Sequence, residues 1–222
     1  MISHTVRTKL FQEFGLSKLL LVELHPRLLV EQIAACRAAE LIFTYSRYEV
    51  AEPGLQATAP RSDVLRVAAC DVTPDWLVDR FAELGPTEEM AWHSRVEFKG
   101  IGFHIPMIDF VSRPPHSALH RLGSVLAAEM DLSGHFVFFD TGRSFHGYFP
   151  DLIAEHVWPS YLGRLLIMNE PNHPPVIDTR WVGHALMRGF AALRWSHNTD
   201  RYEAMPHLVS TKLDQSNIDS SF

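Results

Sequence analysis

Apolar and polar positions along the chain change period several times, and each change predicts an element. From residue 5 to 40 the spacing is helical, with apolar Leu28, Leu29, Ile33 and Ala34 on one face and Pro26 suited to the first turn of a helix reaching Ala39. Leu41 to Tyr48, rich in β-branched and aromatic residues, predicts a strand. Residues 51–61, with two prolines and a glycine, predict a surface loop, and Asp63 to Ala69 a second strand. Thr73-Pro74-Asp75 is a helix start with Thr73 as N-cap; Trp76, Leu77, Phe81 and Leu84 form its buried stripe before Gly85-Pro86 stops it.

Farther along, Trp92 to Phe98 and Ile101 to Val111 read as two strands joined at Lys99-Gly100. Strict alternation in the second puts Phe103, Ile105, Met107, Asp109 and Val111 on one face. Pro114-Pro115 precedes a helix from His116 to Met130 striped by Leu119, Leu122, Val125 and Leu126. Phe136–Phe139 and Phe145–Phe149, joined at Thr141-Gly142, predict a hairpin. Asp151 to Met168 has a helical pattern broken near Pro159, and 170–175 is a proline-rich loop. Val176 and Ile177 make a short strand ending in Asp178, Thr179 to Gly189 a helix, Ala191 to Trp195 a last strand and Ser196 to Thr199 a polar turn. The tail from Asp214 is polar and reads as disordered.

Composition narrows the class. A chain of 222 residues with 46% apolar content can bury a real core. A formal charge of −6 argues against a protein that coats nucleic acid non-specifically, although a local basic groove is compatible with it. Two cysteines are too few for a disulfide framework or a cysteine-based zinc site, which points to a reducing, cytoplasmic setting. Neither a signal peptide nor a membrane-length apolar run is present, so the expectation is a soluble protein without a membrane partner.

Chemistry concentrates at predicted strand ends. Ser144 and His146, two apart on a strand, share one face and aim a hydroxyl and an imidazole at the same object, for which a phosphate is suitable. The same pattern also fits the solvent side of an edge strand. Asp109 closes an otherwise apolar row, and a buried lone carboxylate is costly unless it is paired or binds a cation; a strand end already in water is the alternative. Asp109 and Asp178, arriving from separate strands, are a usual way to hold a hard divalent cation, with Arg143 and Arg194 facing the phosphates of a nucleotide.

An apolar strand ending in Asp109, then Ser144-Phe145-His146 on a hairpin, then Val176-Ile177-Asp178, then Leu193-Arg194-Trp195-Ser196-His197-Asn198 is an order that resembles the archaeo-eukaryotic primase superfamily, the primase-polymerases. The resemblance covers about residues 92 to 200. It implies an α/β (α+β) primase-polymerase-like core, divided into an N-terminal helical and α/β lobe (1–91), a catalytic lobe like the RNA-recognition motif (92–213) and the tail (214–222). It implies Asp109, Asp178 and His146 as catalytic residues, with Asp109 and Asp178 holding Mg²⁺ or Mn²⁺. Arg143, Ser144, His146, Arg194, Ser196, His197 and Asn198 become the nucleotide-binding residues. The partners implied are a nucleoside triphosphate, single-stranded or primed nucleic acid and, in a replication or defence setting, a helicase or nuclease.

In that superfamily the first motif has two aspartates one residue apart. Here Met107 or Val111, depending on register, takes the place of one of them, and Asp140 or His104 is left as a nearby substitute. A site short of a carboxylate implies a metal-dependent nucleotidyltransferase of weak or lost activity. The competing expectations are a catalytically inactive nucleic-acid-binding or scaffold subunit of a larger assembly, and an unrelated hydrolase built on the same Asp109, His146 and Asp178.

Overall fold

The longest strand among the described residues, β3 (Glu88–Phe98), is buried on both faces over most of its length, from Glu89 to Ser94 and again at Val96. A strand with that pattern belongs in the middle of a sheet. The computed structural model describes residues 24–35, 40–50, 62–132 and 134–209, and places β3 between β1 (Leu41–Glu49) on one side and, on the other, both β4 (Ile101–His104) and β9 (Ala192–Arg194). With β2 (Ser62–Ala68) beyond β1 and β8 (Ile153–Ala154) beyond β4, these make the larger of two antiparallel sheets, six-stranded among the described residues. Lys99 and Gly100 join β3 to β4 with φ of 52° and 78°, both in the left-handed region that a two-residue hairpin of this hand requires.

The expected strand from Ile101 to Val111 is in fact two. Pro106 lacks an N–H and cannot continue the ladder, so the chain leaves the larger sheet after His104 and enters the smaller one as β5 (Met107–Asp109). In the smaller sheet β6 (Val137–Asp140) and β7 (Phe145–Tyr148) form the expected hairpin, and β7 pairs on its other side with β5. Strand β10 (His207–Leu208), which the sequence pattern does not show, pairs with β6. Val176–Asp178 extends this sheet beyond β5 through a bridge between Phe110 and Ile177.

Helices cover the sheets. The N-terminal helical stretch is described only as α1 (Arg27–Ala35), which buries Leu29, Val30 and Ile33; the rest of that expectation, the 51–61 loop and the tail lie outside the described residues. In α2 (Pro74–Ala82) Thr73 is the N-cap, its hydroxyl accepting from the Trp76 amide at 3.1 Å, and Leu77 and Phe81 are buried. Helix α3 (His116–Glu129) buries Leu119 and Leu126. The region read as helical from Asp151 to Met168 with a break near Pro159 instead contains β8 and a 3₁₀ turn before α4 (Trp158–Ile167); Pro159 sits in the first turn of that helix, where proline is at ease, and does not break it. Helix α5 (Thr179–Arg188) is capped by Asp178 at its start and by Gly189, at φ 74°, at its end.

The two sheets meet through aromatic rings: Trp92 of β3 lies 4.8 Å from Trp195 and 5.5 Å from Tyr148 of β7, centroid to centroid. One cluster of buried residues runs from Leu29 to Val209. The division expected at 91/92 therefore falls inside β3, and a truncation there would cut the central strand. Among the described residues no helix is long and apolar enough to cross a membrane.

Candidate functional site

Strands β5 and β7 run side by side with Asp109 directly opposite His146, and the carboxyl Oδ1 stands 3.8 Å from the imidazole Nε2. On the other flank of β5, Val111 donates its amide to the Val176 carbonyl at 3.0 Å and Asp178 donates to the Asp109 carbonyl at 2.9 Å. Antiparallel pairing thus delivers two aspartates from segments about 70 residues apart in the chain to adjacent positions at one sheet edge. Asp178 Oδ1 is committed to the first turn of α5, accepting from the amides of Arg180 at 2.8 Å and Trp181 at 3.0 Å.

This corner is poorly solvated. Burial, reinforced by the neighbouring Asp178 carboxylate and opposed by the Arg194 guanidinium, pushes the Asp109 carboxyl up to about 8. Burial also pushes His146 well below the ordinary imidazole value, with Arg194 adding to the effect, so the ring is neutral. His146 is 6% exposed, and its Nδ1 has no hydrogen-bond partner among the described residues. A carboxyl driven towards protonation and an orphaned ring nitrogen are both groups that an incoming ligand can satisfy.

Arg194 is the positive member of the corner, and it is held rigidly. Its guanidinium donates to the carbonyls of Ser196 and Ala204, the latter at 3.0 Å, reaches that of Thr141 at 3.5 Å, and lies 4.1 Å over the Tyr202 ring. At 6% exposed it acts as a fixed charge beside Asp109 and His146.

The remaining residues singled out in the sequence are placed differently. Arg143 is exposed at the hairpin tip, its Nε 3.8 Å from Glu203. The Ser144 hydroxyl turns to Thr141 at 3.3 Å and stays within the turn. Ser196 and Asn198, expected to touch nucleotide, face inward: Ser196 is 1% exposed with its hydroxyl on Glu89, and the Asn198 side chain donates to the carbonyls of Gly85 at 2.7 Å and Glu88 at 3.0 Å. His197 Nε2 meets the Tyr202 carbonyl at 2.8 Å.

Neither proposed substitute for the absent carboxylate is available. Asp140 binds Arg113 through both oxygens, at 3.0 and 2.5 Å, and accepts from the Gly142 amide at 2.7 Å. Burial alone would raise that carboxyl, but the Arg113 and Gly142 hydrogen bonds and the charges of Arg113 and His207 outweigh it and hold it low. Gly142 itself is at φ 93°, and a Cβ there would stand 2.5 Å from Glu203 Cβ. His104 is buried in the larger sheet, stacked on Trp158 at 4.4 Å, with burial holding its ring down to about 4. Of the two positions that could stand for the missing aspartate, Met107 is fully buried, whereas Val111 is 51% exposed beside Val176.

Two residues that matter locally carried no signal in the sequence. Arg113 ties β6 to the hairpin turn and lies 4.9 Å over the Phe145 ring. Glu89, fully buried in β3, accepts from the Ser196 hydroxyl, the Asn198 amide at 3.0 Å, and the Thr199 amide and hydroxyl, each at 2.8 Å. Glu88-Glu89 at the head of an apolar run looks like a solvated strand end, and nothing within reach along the chain distinguishes it.

Among the described residues no three histidine, cysteine or acidic side chains form a ready ligand set for a metal ion. Asp109 and Asp178 are the carboxylates through which a hard divalent cation could be held; such a cation would offset the burial that chiefly raises Asp109 and the lesser repulsion from Asp178.

Antiparallel sheets flanked by helices define a mixed α/β domain. Residues 68–207 match the family model described as archaeo-eukaryotic primase 1D-like, and the chain belongs to the archaeo-eukaryotic primase superfamily. No curated protein and no solved structure matches it.

Proposed function

We propose that this primase-polymerase-like domain binds a nucleoside triphosphate together with one divalent cation at the Asp109–Asp178 edge, next to a nucleic-acid strand, and acts as a weak metal-dependent nucleotidyltransferase. The observation that carries the reading is the side-by-side placement of Asp109 and Asp178, with neutral His146 3.8 Å from Asp109 and the charge of Arg194 acting on it. Asp109 and the uncommitted oxygen of Asp178 would hold Mg²⁺ or Mn²⁺; the bound cation would neutralise charge on the transferring phosphoryl group. Arg194 supplies a positive potential that needs no reorganisation, and His146 offers a ring nitrogen to a phosphate oxygen. Val111, apolar where the superfamily has a second aspartate, leaves the site short of a ligand for a second cation, which weakens activation of an attacking hydroxyl.

Calorimetric titration with ATP and Mn²⁺, followed by extension of a primed template, tests the reading. Saturable cation-dependent binding that is lost in Asp178→Asn is expected, because asparagine still caps α5 and only the charge is removed. Binding without any extension would favour the inactive nucleic-acid-binding or scaffold subunit, a second reading that the apolar Val111 supports. Binding of equal strength in Asp178→Asn would exclude both.

A further inference from the structure

We propose that Glu89 is a positioning residue for the nucleotide site, fixing Arg194 through Ser196; the proposal rests on the reading of that site given above. Glu89 is fully buried and touches no ligand itself. Its connection to the site is one residue long: the Ser196 hydroxyl donates to Glu89 and accepts from the Met90 amide at 2.8 Å, while the Ser196 carbonyl accepts from Arg194. Asn198 and Thr199 then return the chain to the same carboxylate, and the Asn198 side chain fastens the turn to the carbonyls that lead into β3.

The segment so anchored supplies three of Arg194's contacts. These are the Ser196 carbonyl, the Tyr202 ring at 4.1 Å and the Ala204 carbonyl at 3.0 Å. His197, meeting the Tyr202 carbonyl at 2.8 Å, links the turn to the stacking ring. The backbone amides of a polar turn converging on an anion make a nest of the sort that elsewhere receives phosphate. Here the anion comes from the protein, so the turn shapes the nucleotide site without binding the nucleotide. Arg194, held in this way on β9, which neighbours β5, keeps its positive charge close enough to act on Asp109 and His146.

The test is nitrogen-15 NMR of the arginine side chains in the full chain, with Arg194→Lys identifying the Arg194 signal. Stacking on Tyr202 and burial should give that signal a ring-current shift and slow exchange. In Glu89→Gln, which keeps the side-chain size, the signal should move to the position of a mobile arginine. Affinity for ATP with Mn²⁺ should fall about tenfold, the effect typical of losing a group that orients a ligand-contacting residue. An Arg194 signal that stays in place would overturn the proposal, whatever happens to binding. A signal that moves in a protein that never binds ATP with Mn²⁺ would uphold the link from Glu89 to Arg194 and defeat the nucleotide reading instead. If Glu89→Gln does not fold, Thr199→Val removes one donor from the carboxylate and must move the Arg194 signal the same way; no movement would again refute the proposal.

Discussion

Two carboxylates carried on strands, one buried and one half-buried, have opposite surroundings. Glu89 is shut away completely and meets hydrogen-bond donors from Ser196, Asn198 and Thr199. Asp109, whose side chain is 24% exposed, has a neutral imidazole at 3.8 Å and a second carboxylate beside it, and burial drives it towards its protonated form. A protein interior tolerates an ionised group when the fold supplies its donors and strains under it when the fold does not. Glu89 is therefore part of the architecture. Asp109 lacks such donors among the described residues, and under the nucleotide-site proposal a cation would take their place.

Removing each carboxylate should break the comparison in opposite directions. Glu89→Leu should lower the stability to chemical denaturation by at least about 3 kcal/mol, because several buried donors lose their acceptor at once. A loss well under that would mean that the turn has other support.

For Asp109→Asn the sign is the reverse. The native carboxyl keeps its proton up to about pH 8, whereas the unfolded chain releases it near 3.8, so between these values the native state binds more protons and stability falls as pH rises. Without divalent cations, Asp109→Asn should match the unmodified protein at pH 4 and exceed it by about 1–3 kcal/mol at pH 8, measured by urea unfolding at each pH. A constant difference across that range would show that Asp109 is not strained.

The smallest expected effect sharpens the contrast at the site itself. Val111→Asp adds an accessible oxygen ligand beside Asp109 and should tighten Mn²⁺ binding about tenfold, or about 1.4 kcal/mol. Met107→Asp puts the carboxylate into the core and should destabilise the fold without that gain. Mn²⁺ titration of both variants decides which position belongs to the site.

Much of this was legible in the sequence, for local reasons. Thr73-Pro74 announces α2 because cap and first-turn preferences are settled within four residues. The alternation around Asp109, the Ser144–His146 spacing and the apolar pair before Asp178 singled out segments that do lie side by side in the fold, because a strand's facing follows from its period; the Ser144 hydroxyl, however, stays within its own turn. Other features depended on contacts that no window contains. Pro106 turns one apparent strand into two only because a second sheet waits to receive it, and Pro159 reads as a break until β8 is seen to precede the helix. Ser196 and Asn198 look like ligand-binding residues from the chain alone, since the carboxylate that engages them is 107 residues away or more.

That separation has a consequence for how the molecule is made. During synthesis β3 leaves the ribosome with β1 and β4 on hand, but its other neighbour, β9, and every donor to Glu89 follow about a hundred residues later. At 5–20 residues per second the delay is roughly 5–20 s, long compared with hairpin formation. For that interval the nascent chain carries a carboxylate without these donors in the middle of its larger sheet, and the edge where Asp109 pairs with Asp178 likewise waits for chain made about 70 residues later.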